Sequence, residues 1–437
     1  KPQQHPVLKN IKSSVTAPSR ISELPLQKAM QSSMRQFIVS RKTRRTIIAG
    51  YPWFLDWGRD TLICLRGMIS AGMLEEASDI LTEFGSFEDK GTLPNTIRGK
   101  EVGNRDTSDA PLWFIVACRD LMYAQKSDAI LNKNCSGRTL REIIRSIITH
   151  YINGTPNGIK MDSESGLIFS PAHFTWMDTN FPACTPREGY PIEIQALWYA
   201  SLKFVSEIDD DKKLSDLAQK VKSSIMRFYP QIDSSTKNMK GRMQEGRWQN
   251  VFLSDCLHSV QGVPAAEARA DDFLRPNQLF AVTLHAIEDV SLCRAIVSSC
   301  EELLVPGAMR SLASRRVTFQ MPIYHNGRLL NNPECPYWGH YIGDEDTRRK
   351  PAYHNGTAWT WLLPLYCEAL FLAYGEDVRR TALAILGSSV VTINKGCIGQ
   401  IPEILDGDYP HTQRGCGAQA WSVMELYRVL DFLKKRR

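Results

Sequence analysis

The sequence predicts an all-α fold, a ring of six helical hairpins, and three observations support this. Apolar positions recur at steps of three and four residues in many segments, whereas the period-two alternation of strands is scarce. These segments fall into pairs joined by short polar or Gly-bearing turns. Long connectors rich in Trp, Pro and Gly separate the pairs. A solenoid would instead repeat a unit of about 30–50 residues with similar sequence, and no such repeat is visible.

The periodicity predicts twelve helices. We expect them at residues 22–40, 59–73, 75–87, 108–126, 138–152, 190–206, 211–228, 275–287, 289–303, 357–374, 376–389 and 415–434. The long connectors between the pairs lie at 45–58, 88–107, 153–189, 229–274, 304–356 and 390–414. Connectors of this length in a compact domain are usually functional. Because nearly all ten tryptophans lie in or beside them, we expect a wide aromatic-lined pocket on one face of the ring.

The composition is that of a soluble globular protein. Of 437 residues, 43% are hydrophobic and 23% charged, and no apolar run approaches the roughly 18 residues of a membrane span. We therefore expect no membrane partner. Residues 1–20 are polar and Pro/Ser-bearing with no apolar core, so they are predicted to be a linker or tail and not a signal peptide. Residues 21–437 are predicted to form one domain.

The cysteine and histidine patterns argue against a metal site. Eleven cysteines are scattered singly, as is typical of reduced core thiols in the cytoplasm. No two cysteines have CxxC spacing, and the nine histidines lack HxxxH or HExxH spacing. We expect a cytoplasmic protein with no metal and no other cofactor.

The modest net charge of +6 does not indicate a nucleic-acid partner. Part of it comes from "SRKTRR" at 40–45 and "KKRR" at 434–437. Nucleic-acid binding would require a basic stripe with interleaved aromatics or a recognition motif, and neither is present. We expect these residues to be solvated helix ends, and a phosphate-bearing partner stays open for "SRKTRR". A neutral substrate fits as well as an acidic one.

The stretch "YPWFLDWGRD", residues 51–60, combines aromatic rings with charged groups. It contains Trp53, Trp57, Arg59 and Asp60. Sugars need both kinds of group, because flat apolar rings suit their C–H faces and polar groups suit their hydroxyls. We take these residues as candidates for a sugar pocket. The structural alternative is that Arg59 and Asp60 pair with each other.

Two further acids are candidates for the pocket wall, at helix starts. Asp109 lies in "NRDTSDAPLWF", where it or Ser108 is equally suited to cap the following helix. Glu193 lies one turn into the helix predicted at 190–206.

A candidate catalytic acid lies in "HFTWMDTNFPACTPREGY", residues 173–190. Its Asp178 stands among apolar and aromatic side chains, including Trp176, with no cation before Arg187. Burial there would disfavour the charged form, so Asp178 would hold the proton that a general acid needs. The alternative is a loop aspartate that caps a turn beside a core tryptophan.

Glu403 is the candidate partner of this acid. It lies in "QIPEILDGD", an irregular apolar segment before the last helix, and is therefore positioned and not merely solvated. Two carboxylates, one protonated and one ionised, are the minimum machinery of glycoside hydrolysis. The residues alone therefore suggest a glycosidase with Asp178 and Glu403 as its pair.

Four blocks of the sequence carry a family resemblance. "AGYPWFLDWGRDTLI", "TWMD", "AYHNGTAWTWLLP" and "IPEILDGDYPHTQRGCGAQAWSVMEL" resemble signature blocks of the amylo-α-1,6-glucosidase part of glycogen debranching enzymes, and they occur in family order over residues 45–434. The resemblance implies an (α/α)6 barrel related to glucoamylases. It also implies an inverting hydrolase that removes α-1,6-linked glucose stubs from glycogen-like α-glucans and releases β-glucose.

The resemblance also implies residue roles. Asp178 takes the place of the general acid and Glu403 that of the general base. Arg59 and Asp60, with Trp57 beside them, resemble residues that grip the terminal glucose. Further pocket wall is implied at His354, Asn355 and Trp359. An inverting mechanism requires about 6.5–9.5 Å between the two carboxyl groups, which leaves room for a water.

The chain departs from its relatives in two ways. Eukaryotic debranching enzymes also carry a glucanotransferase barrel, for which this chain has no room. Prokaryotic relatives often place a β-rich domain before the helical barrel, so an absent N-terminal β-rich domain is a candidate partner. Pocket-wall changes could also redirect the barrel to an α-1,4-glucan, trehalose, sucrose or a glucosyl conjugate. A non-catalytic sugar-binding protein and a helical scaffold are the remaining alternatives.

Overall fold

The computed structural model describes residues 25–41, 44–98, 101–233 and 248–435. The tail predicted at 1–20, residues 42–43 of the basic segment and residues 436–437 lie outside the described residues. Within the described ranges, none of the helices has both the length and the apolar character that a bilayer-spanning segment requires.

The described residues are mostly helical, and each of the twelve main helices among them overlaps one predicted helix. They are α1 (Leu26–Met34), α2 (Gly58–Ser70), α3 (Leu74–Gly85), α4 (Ala110–Gln125), α5 (Leu140–Asn153), α6 (Ile192–Asp209), α7 (Lys212–Phe228), α8 (Leu279–Thr283), α9 (Val290–Cys300), α10 (Leu362–Tyr374), α11 (Arg379–Gly387) and α12 (Ala420–Lys435). Single α-turns occur at Lys350–Tyr353 and Val390–Ile393. Helices α1 and α8 differ most from the predicted bounds. After α1 the chain forms a 3-10 turn at Arg35–Phe37 and then a strand from Ile38, where the prediction had helix to residue 40. Helix α8 is only five residues long, because a 3-10 turn at Pro276–Gln278 precedes it and His285 adopts a left-handed conformation shortly after it.

The even-numbered helices contact one another in closed cyclic order. Helix α2 packs against α4, α4 against α6, α6 against α8, α8 against α10, α10 against α12, and α12 back against α2. The odd-numbered helices pack against this inner ring. The sequence explains the division. Almost every side chain of α10 is buried, whereas α7 is amphipathic and buries only one face.

The prediction of an all-α fold is incomplete, because the connectors and the ends of predicted helices, including those at 22–40, 357–374 and 415–434, form small antiparallel sheets. The largest has five strands, in the order Leu304–Val305, Ala308–Arg310, Ala358–Trp359, Ile404–Leu405 and Gln413–Arg414. Two sheets have three strands, Gly189–Pro191 with Cys256–His258 and Arg269–Ala270, and Asp56–Trp57 with Thr96–Arg98 and Glu101–Val102. The two-stranded sheets are Ile38–Arg41 with Arg44–Ile47, Gly50–Tyr51 with Ala418–Gln419, Asn134–Cys135 with Arg138–Thr139, Lys160–Met161 with Ile168–Phe169, Pro230–Ile232 with Val251–Leu253, and Tyr324–His325 with Arg328–Leu329.

These strands are too short for a period of two to be visible in the sequence. They nevertheless fix the connectors over the ring. Trp359 pairs with Ile404 in the five-stranded sheet, which brings the segment before α10 against the segment that carries Glu403. Ala418 pairs with Tyr51, which joins the segment before α12 to the one before α2.

Candidate active site

A cavity of about 230 Å³ lies where the N-terminal ends of α2, α10 and α12 meet the connectors. Its lining residues are Phe54, Trp57, Arg59, Asp60, Trp176, Asp178, Tyr353, His354, Trp359, Glu403, Gln419 and Trp421. Eight of them were predicted from the sequence: Trp57, Arg59, Asp60, Trp176, Asp178, His354, Trp359 and Glu403. The structure therefore brings both candidate catalytic carboxylates to one cavity.

Arg59, in the first turn of α2, is buried and binds two carboxylates. Its Nε donates to both carboxylate oxygens of Asp109, at 2.9 and 2.7 Å, and its Nη1 donates to Oδ2 of Asp178 at 3.2 Å. Arg59 thus bonds to these distant acids instead of its neighbour Asp60. Asp109 does not cap α4 through its side chain, because both of its oxygens accept from Arg59 and Oδ1 also accepts from the hydroxyl of Thr107.

Asp178 keeps about a third of its side chain exposed at the cavity. Burial raises the pKa of this carboxyl above its ordinary value, and the guanidinium of Arg59 opposes that rise. The surrounding stretch holds no cation before Arg187, but the fold supplies one from a residue 119 positions away in the chain. Sequence proximity could not have revealed this contact.

Glu403 is almost fully buried and accepts hydrogen bonds on both carboxylate oxygens. The hydroxyl of Tyr353 donates to Oε1, and the N–H of Cys416 donates to Oε2 at 2.9 Å. Burial raises the pKa of Glu403 to about 7 even though both hydrogen bonds lower it, and the charge of Asp178 adds to the rise. Gly415 is required beside it, because a Cβ there would lie 2.1 Å from Oε2 and φ is +64°.

A third carboxylate, Asp60, lies in the same cavity. Burial raises its pKa to about 7, Arg59 opposes the rise, and the charges of Glu403 and Asp178 add to it. Its Oδ1 accepts a hydrogen bond from Nε2 of Gln419 at 3.4 Å. The cavity therefore holds three carboxylates and one guanidinium, that of Arg59. This guanidinium is also bonded to a fourth carboxylate, Asp109, which lies behind it.

Aromatic rings form the remaining wall. The ring centroid of Trp176 lies 5.1 Å from that of Trp359 and 5.2 Å from that of Trp361, and Trp361 stacks on Trp421 at 4.8 Å. The indole N–H of Trp176 donates to Oδ1 of Asn277 at 2.8 Å, which fixes the ring. Sugar-binding sites use such rings against the C–H faces of the ligand.

His354 lines the cavity and has one ring nitrogen without a protein partner among the described residues. Its ring stacks on Trp359 with centroids 5.1 Å apart, and its Nδ1 is hydrogen-bonded to the hydroxyl of Thr179 at 2.6 Å. Burial, reinforced by nearby arginines such as Arg275, holds the pKa of His354 well below its ordinary value, so the ring is neutral. Its buried Nε2 has no hydrogen-bond partner among the described residues, so it can bind a ligand hydroxyl.

Four predicted site residues do not line the cavity. Trp53 is 58% exposed and lies in a neighbouring depression. Asp109 lies behind Arg59. The carboxylate of Glu193 is bonded to Arg187, with Oε2 2.6 Å from Nη2. The amide of Asn355 binds Arg275 and main-chain carbonyls.

The sequence reasoning missed four lining residues: Phe54, Tyr353, Gln419 and Trp421. All four lie inside the quoted family blocks, and Tyr353 directly precedes His354. A tyrosine next to a candidate site residue was therefore the available signal. In the part of the chain that the structure describes, no group of three or more His, Cys, Asp or Glu side chains is arranged to hold a metal ion.

Comparisons with known proteins identify the family of the chain. The family model of amylo-alpha-1,6-glucosidase matches residues 32–428. The glycogen debranching enzyme of Saccharomyces cerevisiae is 25% identical over 414 residues, which cover 74% of this chain and 25% of the yeast protein. The chain thus spans about a quarter of the length of that relative.

Solved structures share the fold at low sequence identity. A glycosidase variant in complex with glucose matches with a TM-score of 0.58 at 10% identity, over 95% of this chain and 98% of its own. A metal-independent α-mannosidase from Streptococcus pneumoniae, in complex with α-1,6-mannobiose, matches with a TM-score of 0.53 at 13% identity, over 94% and 93%. At these identities the likeness shows a shared fold.

Proposed function

Because the chain belongs to the amylo-alpha-1,6-glucosidase family and is a glycoside hydrolase, we propose that it removes single α-1,6-linked glucose stubs from glycogen-like α-glucans with inversion of configuration. The observation that carries this proposal is that Asp178 and Glu403 line one cavity with aromatic rings and a guanidinium. The closed cycle of six inner helices supports an (α/α)6 barrel as its scaffold.

In the proposed reaction Asp178 is the general acid. It protonates the glycosidic oxygen, so that the leaving glucan departs as an alcohol. Burial favours its protonated form, and a bound substrate that excludes water from the cavity would favour it further. Arg59 fixes the carboxyl through Oδ2 and leaves part of the side chain exposed to the substrate.

Glu403 is the general base in the same proposal. Both of its oxygens accept hydrogen bonds from protein donors, which suits a carboxylate that only accepts. Each oxygen retains a further lone pair that can take a proton from the attacking water. The water attacks the anomeric carbon on the face opposite the leaving group, so the product is β-glucose.

The charge of the cavity allows a protonated and an ionised carboxyl to coexist. The charge of Asp178 raises the pKa of both Asp60 and Glu403, and the charge of Glu403 also raises the pKa of Asp60, so the three do not all ionise readily near neutral pH. One acid and one base, which the reaction requires, are therefore present together over a range of pH. Asp60, Arg59 and the unpartnered Nε2 of His354 are suited to the hydroxyls of the terminal glucose.

The test is hydrolysis of a glucan that bears single α-1,6-linked glucosyl stubs, compared with maltose, trehalose and sucrose, with the anomer of released glucose followed by NMR. We expect β-glucose from the stubs, and a loss of kcat of about 10²–10⁴-fold in Asp178→Asn and Glu403→Gln. Both variants should still bind glucan.

Other results would change specific parts of the proposal. Release of α-glucose would refute inversion. Turnover of another sugar but not of the stubs would replace the substrate and keep the two carboxylates. Binding without turnover of any sugar by the unmodified protein would refute the hydrolase.

A further inference from the structure

A second depression, of about 410 Å³, lies directly beside the cavity. Three contacts join the two. Gly415, in its lining, lies against Glu403. The ring of Tyr341 lies 5.4 Å from that of Tyr353, which binds Glu403. The ring of Trp53 lies 6.4 Å from that of Phe54, which lines the cavity. A ligand could therefore occupy both spaces at once.

The surface of the depression is suited to a neutral polyhydroxy ligand. Trp53 is 58% exposed and Ile342 is 50% exposed, so an aromatic face and an aliphatic one are open to solvent. The guanidinium of Arg349 lies over the ring of Tyr341, its charge is matched by Glu345 at 4.0 Å, and the side chain is 40% exposed, so its N–H groups can reach a ligand. Arg414 is held by Asp406 at 3.0 Å, so its charge is matched. Ring faces with a few hydrogen-bond donors bind sugars, whereas an anion would need more unmatched positive charge.

The size of the cavity indicates that most of a branched substrate lies outside it. At about 230 Å³ it is smaller than the roughly 300–1,000 Å³ of pockets for drug-sized ligands, which suits a single sugar unit. The glucan that carries an α-1,6-linked stub continues in both directions from the branch point. At least one arm of it must cross the rim.

We propose that the depression formed by Trp53, Tyr341, Ile342, Arg349, Arg414 and Gly415 binds the main chain of the α-glucan on one side of the branch point, while the cavity holds the stub. The proposal rests on the proposed function and names how that site recognises a polymer. Trp53 stacks on a main-chain glucose, and Arg349 donates to its hydroxyls.

The test compares a substrate that has a main chain with one that has none. Glucosyl-stubbed maltooligosaccharide fills both spaces, whereas α-glucosyl fluoride fills only the cavity. In Trp53→Ala we expect the ratio of kcat/KM for the stubbed substrate to that for the fluoride to fall about three- to tenfold, as expected for one lost ring contact. The matched control is Leu55→Ala, which removes a 49% exposed side chain of the same connector outside the depression. Its ratio should stay within twofold of the unmodified protein.

A second measurement does not depend on turnover of the stub. Linear maltoheptaose should inhibit hydrolysis of the fluoride, and its inhibition constant should rise three- to tenfold in Trp53→Ala and in Arg349→Ala, with thermal midpoints checked for each variant. An unchanged ratio together with an unchanged inhibition constant would overturn the proposal. Equal loss on both substrates would also overturn it, because Trp53 would then act within the cavity. If the unmodified protein leaves the stubs intact while the inhibition constant still rises, the proposed function fails and the glucan site stands.

Discussion

Two buried charge clusters lie along the same inner helices, and they differ in how many cations they contain. The cavity cluster consists of Arg59, Asp60, Asp109, Asp178 and Glu403. The belt cluster consists of Arg66, Arg119, Asp120, Glu368, Glu425 and Arg428. The first begins at the start of α2 and α4, and the second lies further along these helices and on α10 and α12.

In the belt cluster each carboxylate has a guanidinium partner. Arg428 binds Glu368 through two hydrogen bonds, at 2.8 and 2.6 Å, and also binds Glu425. Arg66 and Arg119 both bind Asp120. Burial acts to raise the pKa of Glu368 and Asp120, but the nearby arginines outweigh it and leave both pKa values below their ordinary range.

In the cavity cluster four carboxylates share one guanidinium, and two of them, Asp60 and Glu403, have a pKa of about 7. Burial is similar in the two clusters, so the supply of cations makes the difference. A balanced buried cluster stabilises ionised carboxylates, whereas a cluster short of cations retains a proton near neutral pH. This is the property that acid–base chemistry requires, and it separates the candidate active site from a structural ion-pair network.

Removing Arg428 from the belt cluster should produce the largest change in stability. Arg428→Met leaves Glu368 and Glu425 buried without their main partner, which is expected to cost about 3–5 kcal/mol of unfolding free energy. The loss should be smaller at pH 5 than at pH 8, because burial then raises the pKa of Glu368 without the opposing charge of Arg428, so that this carboxyl can protonate. Thermal midpoints at the two pH values measure this. Equal losses at both would mean that lost packing, not charge, dominates.

Removing a carboxylate from the cavity should increase the stability of the protein. The folded-state pKa of Glu403, about 7, lies above its ordinary value of 4.5, so its contribution to stability is fully present below about pH 4.5 and is lost as pH rises through 7. At pH 8 the unmodified protein carries the whole cost of the buried charge. Glu403→Gln should therefore be more stable by about 1–3 kcal/mol at pH 8 and nearly unchanged at pH 4.5, from about 1.4 kcal/mol per pKa unit. The belt variant Glu368→Gln is the control and should be less stable than the unmodified protein at pH 8.

The two clusters also show what the sequence can and cannot reveal. The twelve helices were predictable, because apolar spacing reports local packing. Asp178 and Glu403 were found because each lies in an irregular segment beside apolar residues. The contact of Arg59 with Asp178 was not predictable, since it joins segments that only the closed ring brings together.

Position at a helix start was not sufficient to identify a cavity residue. Asp60 and Glu193 both lie in the first turn of an inner helix. Asp60 lines the cavity, whereas Glu193 is bonded to Arg187 and does not line it. The two strands that pair Trp359 with Ile404 were missed, because a strand of two residues cannot display the alternation of apolar and polar side chains. Side-chain direction and long-range partners therefore account for most of the difference between the predicted and the observed site.

The smallest expected effect concerns a single hydrogen bond in the cavity cluster. The hydroxyl of Tyr353 donates to Glu403 and lowers the pKa of that carboxyl, so Tyr353→Phe should raise it. If Glu403 is the base and must be ionised, the acidic limb of the pH profile of kcat/KM should move to higher pH, by about 0.5–1 unit for one hydrogen bond. Tyr341→Phe removes a neighbouring hydroxyl and should leave that inflection in place. A shift toward lower pH in Tyr353→Phe would contradict the assignment of Glu403 as the base, because the group that sets the limb would then gain acidity when a donor is lost.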